Sequence, residues 1–323
     1  VKTLLSPPPE ATRTQPSGVL VIDKPRDWTS HDVVMKVRRL LHTRKVGHTG
    51  TLDPLGTGVL PICVGDATKL AGLAQAADKE YRMTMRLGVA TDTQDSMGQV
   101  LATVPMDPAV DWEGRLREEL DALVGTHWQT PPMYAAVKVG GEPLYRKARR
   151  GETVERAPRR VTIYAVREVE IDLPDVTFTL ACAKGTYVRT VAADLGEALG
   201  VGAHLTALRR LSCGPITLAE AVTVEALEAA VREGRTDEVL HPDDHLIRDM
   251  PRVTVSEYTA RRMLQGISPH VSEWPPAEPG AEAAPGALCR VYGERRGFFA
   301  LVELTGEPVH PARIRRIVKT RAA

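Results

Sequence analysis

Asp53 lies in the segment His48-Thr-Gly-Thr-Leu-Asp-Pro-Leu-Gly-Thr-Gly58, where Gly50, Gly56 and Gly58 surround one acid. Glycines allow sharp turns and close approach of a ligand to the backbone, and a proline after the acid restricts the acid's own conformation. Leu52 and Leu55 flank it as apolar anchors, so the segment reads as a loop that holds its carboxylate in place. With an ordinary pKa of about 3.9, such a group is ionised at neutral pH and can act as a nucleophile or balance positive charge on a substrate. The same residues also suit a plain Asx-turn between two strands.

Cations cluster on both sides of a balanced total. The net charge is +1, yet Lys36, Arg38, Arg39, Arg44 and Lys45 precede the Asp53 loop, and Arg146, Lys147, Arg149, Arg150, Arg156, Arg159 and Arg160 form a second group. Such clusters can track a phosphate backbone, although a solvated helix face is the commoner outcome. Cys63, Cys182, Cys213 and Cys289 lie far apart without a C-x-x-C pair, which points to buried thiols in a reducing compartment. The first residues lack the apolar stretch of a secretion signal, and no run is long enough to span a bilayer, so a cytoplasmic protein is expected.

A chain of 323 residues suggests two domains. Residues 1–17 read as a disordered Pro/Ser/Thr-rich tail. Residues 19–22 suit a buried strand, and Ser30 a cap for a helix that turns Val33, Val34, Val37, Leu40 and Leu41 to one side. Residues 59–64 read as a strand, with Asp66 capping a short helix. Tyr81, Met83, Met85, Leu87 and Val89 alternate with Arg82, Thr84 and Arg86, the clearest strand pattern in the chain. A helix carrying Leu116, Leu120, Leu123 and Val124 is expected to end at Gly125. Residues 128–151 mix aromatics, prolines and cations, as an RNA-contacting insertion would. Strands are expected at 161–171 and 176–182. The helix that follows holds Arg189 in its first turn, where the dipole disfavours a cation and calls for an acidic or phosphate partner. Beyond Met250-Pro251 a small β-rich unit with a basic end at Arg313, Arg315, Arg316, Lys319 and Arg321 is expected.

Five segments together resemble the bacterial TruB family of tRNA pseudouridine synthases: Gly18-Val-Leu-Val-Ile-Asp-Lys-Pro25, Gly47-His-Thr-Gly-Thr-Leu-Asp-Pro-Leu-Gly-Thr-Gly58, Lys79-Glu-Tyr-Arg82, Thr91-Asp-Thr-Gln-Asp95 and Lys184-Gly-Thr-Tyr-Val-Arg189. The resemblance implies an α+β pseudouridine synthase fold, with a central mixed, mainly antiparallel sheet flanked by helices. It places the catalytic domain at 18–250 and, more weakly, a PUA-like RNA-binding domain at 251–323. It implies isomerisation of uridine 55 in the tRNA T-loop by base flipping, with no cofactor and no metal. Asp53 would be the essential carboxylate, Tyr81 the aromatic stacked on the base, and Arg189 the ion-pair partner of the acid. His48 would fill the gap left by the extruded nucleotide, Lys24 and Tyr187 would buttress the pocket or bind backbone, and Asp92 would position RNA. Arg149 and Arg150 would grip phosphate. The expected partner is the tRNA T-arm, met by a monomer without an obligatory protein partner. Gly56, Trp28 and the pair Ala135-Ala136 depart from the family's usual residues.

Two other readings compete. An RNA-binding factor could open the T-loop without chemistry and so assist tRNA folding. A metal-dependent phosphoesterase could use His48, Asp53, Asp92 and Asp95, but these lack a recognisable ligand spacing.

Overall fold

Residues 19–22 form an unbroken apolar run because both faces of their strand are covered, as sheets packed on two sides require. Leu20 and Ile22 enter the main core, whereas Val19 and Val21 enter a second cluster. The computed structural model describes residues 16–135, 137–275 and 284–318. Most of the expected tail, Ala136, much of the 274–286 loop, and Lys319 and Arg321 lie outside the described residues.

The chain runs through β1 (Gly18–Lys24), α1 (Ser30–Leu40), β2 (Val46–His48), β3 (Gly56–Val64), α2 (Ala71–Gln75) and β4 (Lys79–Leu87). It continues with β5 (Val89–Thr91), β6 (Val100–Thr103), α3 (Trp112–Ala122), β7 (Gly125–Gln129), β8 (Lys138–Val139), β9 (Glu142–Pro143) and α4 (Leu144–Arg149). Then come β10 (Arg159–Asp172), β11 (Asp175–Cys182), α5 (Val188–Ala198), β12 (Ala203–Cys213), β13 (Ile216–Thr217) and α6 (Val224–Arg232). The last elements are β14 (Arg252–Val255), α7 (Glu257–Leu264), β15 (Leu288–Gly293), β16 (Gly297–Leu304) and β17 (Ala312–Ile317).

A nine-stranded sheet in the order β1-β3-β12-β4-β11-β10-β7, with β2 and β13 at its margins, forms the centre. Its pairs are antiparallel except β12 with β3, so the sheet is mixed and mainly antiparallel as expected. The alternation along β4 puts Tyr81, Met83, Met85 and Leu87 into the core. A separate sheet, β14-β15-β16-β17, follows Met250. It has its own core around Phe299 and Val302, but Phe298, Leu301 and Val318 pack with Val19, Val21 and Leu70 of the main body. Burying each such side chain contributes about 1.5–3 kcal/mol relative to exposure.

Four expectations need correction. Thr29, not Ser30, caps α1: its hydroxyl accepts from Asp32 N at 3.1 Å while Asp32 accepts from Thr29 N at 2.8 Å. Asp66 is not the N-cap: it lies inside the first turn of a short 3-10 helix (Gly65–Leu70) that follows Val64, and its carboxylate pairs with Lys69 at 2.9 Å and Lys45 at 3.6 Å. Gly125 does not close α3, which stops at Ala122; it opens β7 instead, with a φ of 134° that a side chain would disfavour. Consequently Trp128 and Gln129 belong to the edge strand of the main sheet, and the following excursion leaves the sheet only after Gln129.

Candidate active site

The Asp53 loop is fastened from three directions. Gly56 N donates to Asp53 O at 2.9 Å, closing a turn with proline at its second position, the favoured place for it. Ser30, displaced from the cap, uses its buried hydroxyl to accept from Leu52 N at 2.8 Å and donate to Leu52 O at 3.0 Å. Leu52 and Leu55 are buried as anchors. Gly58 has a φ of 93°, and a Cβ there would meet Arg210 O at 2.3 Å, so the close approach of β3 to β12 needs glycine.

The Asp53 carboxylate is therefore free of its own backbone. It accepts from Arg189 Nε at 2.8 Å, which replaces the Asx-turn alternative with an ion pair between β3's entrance and α5. Arg189 is almost fully buried and fixed by three acceptors and a second carboxylate. Besides Asp53 it donates to Thr93 O at 2.9 Å and Tyr134 O at 2.8 Å, and Asp95 stands 3.6 Å from its Nη1. The acidic partner demanded by its place in the first turn of α5 is thus supplied twice.

Asp53 keeps 36% of its side-chain surface open to a cavity of about 360 Å³. The concave walls nevertheless strip enough water to push its pKa up; Arg189 is the strongest opposing influence, and Asp95 adds to the rise. The cavity brings together five residues singled out in the sequence: His48, Asp53, Tyr81, Tyr187 and Arg189. Burial raises the Tyr81 phenol to about 12, so the ring is neutral at physiological pH. His48 is pushed toward its neutral form by burial and then by Arg210, and its Nδ1 accepts from Gly50 N at 3.3 Å. Tyr187 is held through its backbone, since buried Gln129 accepts from Tyr187 N at 2.8 Å and donates to Tyr187 O at 3.2 Å.

The remaining candidates do not line the cavity. Lys24 is fully buried, so its ammonium cannot meet RNA; it donates to Trp28 O at 2.6 Å, Pro25 O at 2.8 Å and Pro54 O at 3.4 Å, bracing the loop from behind. Burial lowers its pKa to about 8, with Asp53 the largest opposing influence. Asp92 accepts from Gln99 N at 2.8 Å and shapes the turn between β5 and β6. Arg149 lies over the Tyr145 ring at 5.7 Å, and Arg150, just past the exposed C-terminal end of α4, pairs with Glu142 at 2.7 Å and Glu152 at 2.6 Å. His48, Asp53, Asp92 and Asp95 do not converge as a ligand set, because two of them face Arg189 and a third faces a backbone amide.

Sequence reasoning passed over Asp95 as a partner of Arg189, and it missed Lys79, Gln129 and Arg210. The trace of Arg210 was a pair of arginines inside the mostly apolar 205–211 stretch. Its orientation was hidden by the register shift between Leu205 and Ala207 in β12, which breaks the simple alternation.

A model of the TruB family pseudouridylate synthase N-terminal domain matches residues 38–188, and one of the tRNA pseudouridylate synthase B C-terminal domain matches 189–250. A tRNA pseudouridine synthase B from Burkholderia mallei (strain ATCC 23344) is 50% identical over 290 residues, covering 90% of this chain and 91% of that protein. One from Ralstonia pickettii (strain 12J) is 47% identical over 263 residues, covering 80% and 81%. Among solved structures, the archaeal box H/ACA sRNP Nop10-Cbf5 complex superposes with a TM-score of 0.69 at 24% identity, covering 93% of this chain and 85% of that one, a likeness of fold.

Proposed function

The chain belongs to the TruB family of pseudouridylate synthases, and from that premise we propose that it isomerises uridine 55 in the T-loop of tRNA, with Asp53 as the essential carboxylate. Family membership carries the reaction class, that of a tRNA pseudouridine synthase; the site, the acid and the route of the base are our reading. The observation that carries it is the 2.8 Å pair of Asp53 with Arg189 at a cavity that Tyr81 also lines.

Pseudouridine formation breaks the bond from uracil N1 to the ribose, turns the base and joins C5 to the same sugar carbon. Positive character at that carbon needs a carboxylate, either to stabilise it or to share it by attack. Arg189 opposes the desolvation that favours the protonated form of Asp53. A space of about 360 Å³ suits a single nucleoside and not a duplex, which supports extrusion of the target base. Tyr81 then covers one face of the uracil, a contact of roughly 1–3 kcal/mol. With its pKa near 12, only about one phenol in 10⁵ is ionised at neutral pH, which favours stacking over service as a base. His48 fills the gap left in the T-loop.

We assign residues 18–250 to the catalytic domain and the sheet after Met250 to a PUA-like second grip on RNA. Among the described residues no helix is long and apolar enough to cross a membrane. We place the enzyme in the cytoplasm as a monomer acting on free tRNA. Incubating the purified protein with unmodified tRNA, without added metal or nucleotide, and mapping pseudouridine site by site tests the reading. Product at another position, or none, overturns it.

Two further results are expected. Because the Asp53 pKa is raised, its carboxylate is lost as pH falls through a value above the ordinary one of about 3.9, so kcat/KM should show an acid limb centred above that value. A pH profile with folding followed by circular dichroism checks this, and a limb at or below the ordinary value counts against the proposed acid. Neutralising Arg149 and Arg150 should lower the slope of log affinity against log salt by about one for each RNA phosphate that the protein then leaves to its counterions. An unchanged slope removes them from the interface.

A further inference from the structure

Arg210 is a buried cation for which the protein provides no anion. Its side chain is 1% exposed, yet it lines the cavity. It donates from Nε to Val59 O at 2.6 Å and from Nη2 to Gly50 O at 3.3 Å, and its guanidinium also meets the Tyr81 phenol, all of them neutral groups. Among the described residues no carboxylate lies within ion-pairing distance of it, whereas Arg189 has two. Removing a charge from water without a counter-charge is expensive, and such residues are retained where something else supplies the anion.

The position of this guanidinium says what that anion is. Residue 210 stands directly across from Tyr81 in the β12–β4 ladder, so it sits beside the ring proposed to carry the uracil. Its field is felt by Tyr81, His48, Lys79 and Lys24, while that of Arg189 is felt by Asp53 and Tyr187. The cavity lining thus holds both a carboxylate paired with Arg189 and a second cation without a carboxylate of its own.

We infer that Arg210 is a catalytic residue that stabilises the negative charge collecting on the uracil carbonyl oxygens as the glycosidic bond breaks, an inference that rests on the function proposed above. When the bond from C1′ to N1 opens, both electrons stay with uracil, spread over N1, O2 and O4. Asp53 meets the positive character left on C1′. When C5 attacks C1′, an electron pair of the ring forms the new bond, the C5 proton departs and N1 gains a proton, so product and substrate have one composition. A preorganised cation facing such developing charge acts in the transition state and hardly at all on neutral uridine.

The leaving-group dependence of single-turnover conversion tests this. tRNA carrying 5-fluorouridine at the target releases a weaker base, because fluorine withdraws electrons, and so needs less help from the cation. Loss of the N1-linked nucleoside is followed for both substrates. Arg210→Gln is expected to slow the uridine substrate by about 100-fold, in the range found for removing one preorganised donor, and the fluorinated one by no more than about 10-fold. Arg210→Lys keeps the charge and tolerates folding better; it is expected to show the same bias with smaller losses. Equal losses on the two substrates overturn the inference, as does a loss confined to KM, which would instead mark a phosphate contact. Wild-type conversion of uridine, measured alongside, reports on the proposed function independently: its absence refutes that reading, whereas its presence with equal losses refutes this one alone.

Discussion

Asp53→Asn is expected to abolish pseudouridine formation while leaving tRNA affinity within about threefold of wild type. Loss of a group that attacks or balances the reacting centre lowers kcat by roughly 10⁴-fold or more in enzymes where it has been measured. The variant should fold, because the pocket does not depend on the carboxylate charge alone. Arg189 keeps its bonds to Thr93 O at 2.9 Å and Tyr134 O at 2.8 Å, and Asp95 remains 3.6 Å away as its counter-charge. The loop keeps the Gly56–Asp53 backbone bond and the Ser30–Leu52 pair. Filter binding and site mapping on the same preparation read both quantities. Intact turnover would end the proposed role of Asp53. Retained ability to refold misfolded tRNA alongside lost turnover would show that opening the T-loop is an activity separable from the chemistry.

Arg189→Met is expected to lose activity to a similar degree and, unlike the first variant, to lose stability. It leaves Asp53 and the nearly buried Asp95 facing each other without a cation. Stranding one side of a buried ion pair costs about 3–5 kcal/mol; Asp53 is partly exposed, so the low end applies. A loss of about 3 kcal/mol lowers Tm by roughly 6–12 °C in a chain of this size. The deficit should depend on pH. Without the guanidinium, desolvation and the neighbouring Asp95 charge hold the Asp53 pKa still further above its unfolded value, so the folded variant binds a proton more tightly than the unfolded chain. Its stability is then greatest at low pH and falls as pH rises through that raised value. Thermal melts across about pH 5 to 8 should show the gap to wild type widening with pH. A constant gap would mean that Arg189 serves packing alone.

Local features were legible where the physics is local. The alternation along 81–87 needs only the two-residue period of a strand, and β4 follows it. The continuous run at 19–22 announced a strand covered on both faces, and glycines with Pro54 announced a tight loop around Asp53. Helix ends were read less well. Thr29 and Ser30 are both good caps by type, and the choice between them was made by Leu52, whose backbone occupies the Ser30 hydroxyl.

Taken alone, the amino-acid order determined the family, the mixed α+β architecture, the loop that presents Asp53, and the need of Arg189 for an acid. Only the tertiary structure decided which acids answer it, that Lys24 faces carbonyls in the interior, and that Arg210 turns into the cavity beside Tyr81. These facts depend on which strands become neighbours. Residues 53 and 189 meet because β12 lies between β3 and β4 and α5 feeds into it, and residue 210 faces inward because the register shift between Leu205 and Ala207 displaces the alternation of β12. Pairings of that kind are set by packing of the whole sheet, and no period or spacing within a short stretch of chain records them.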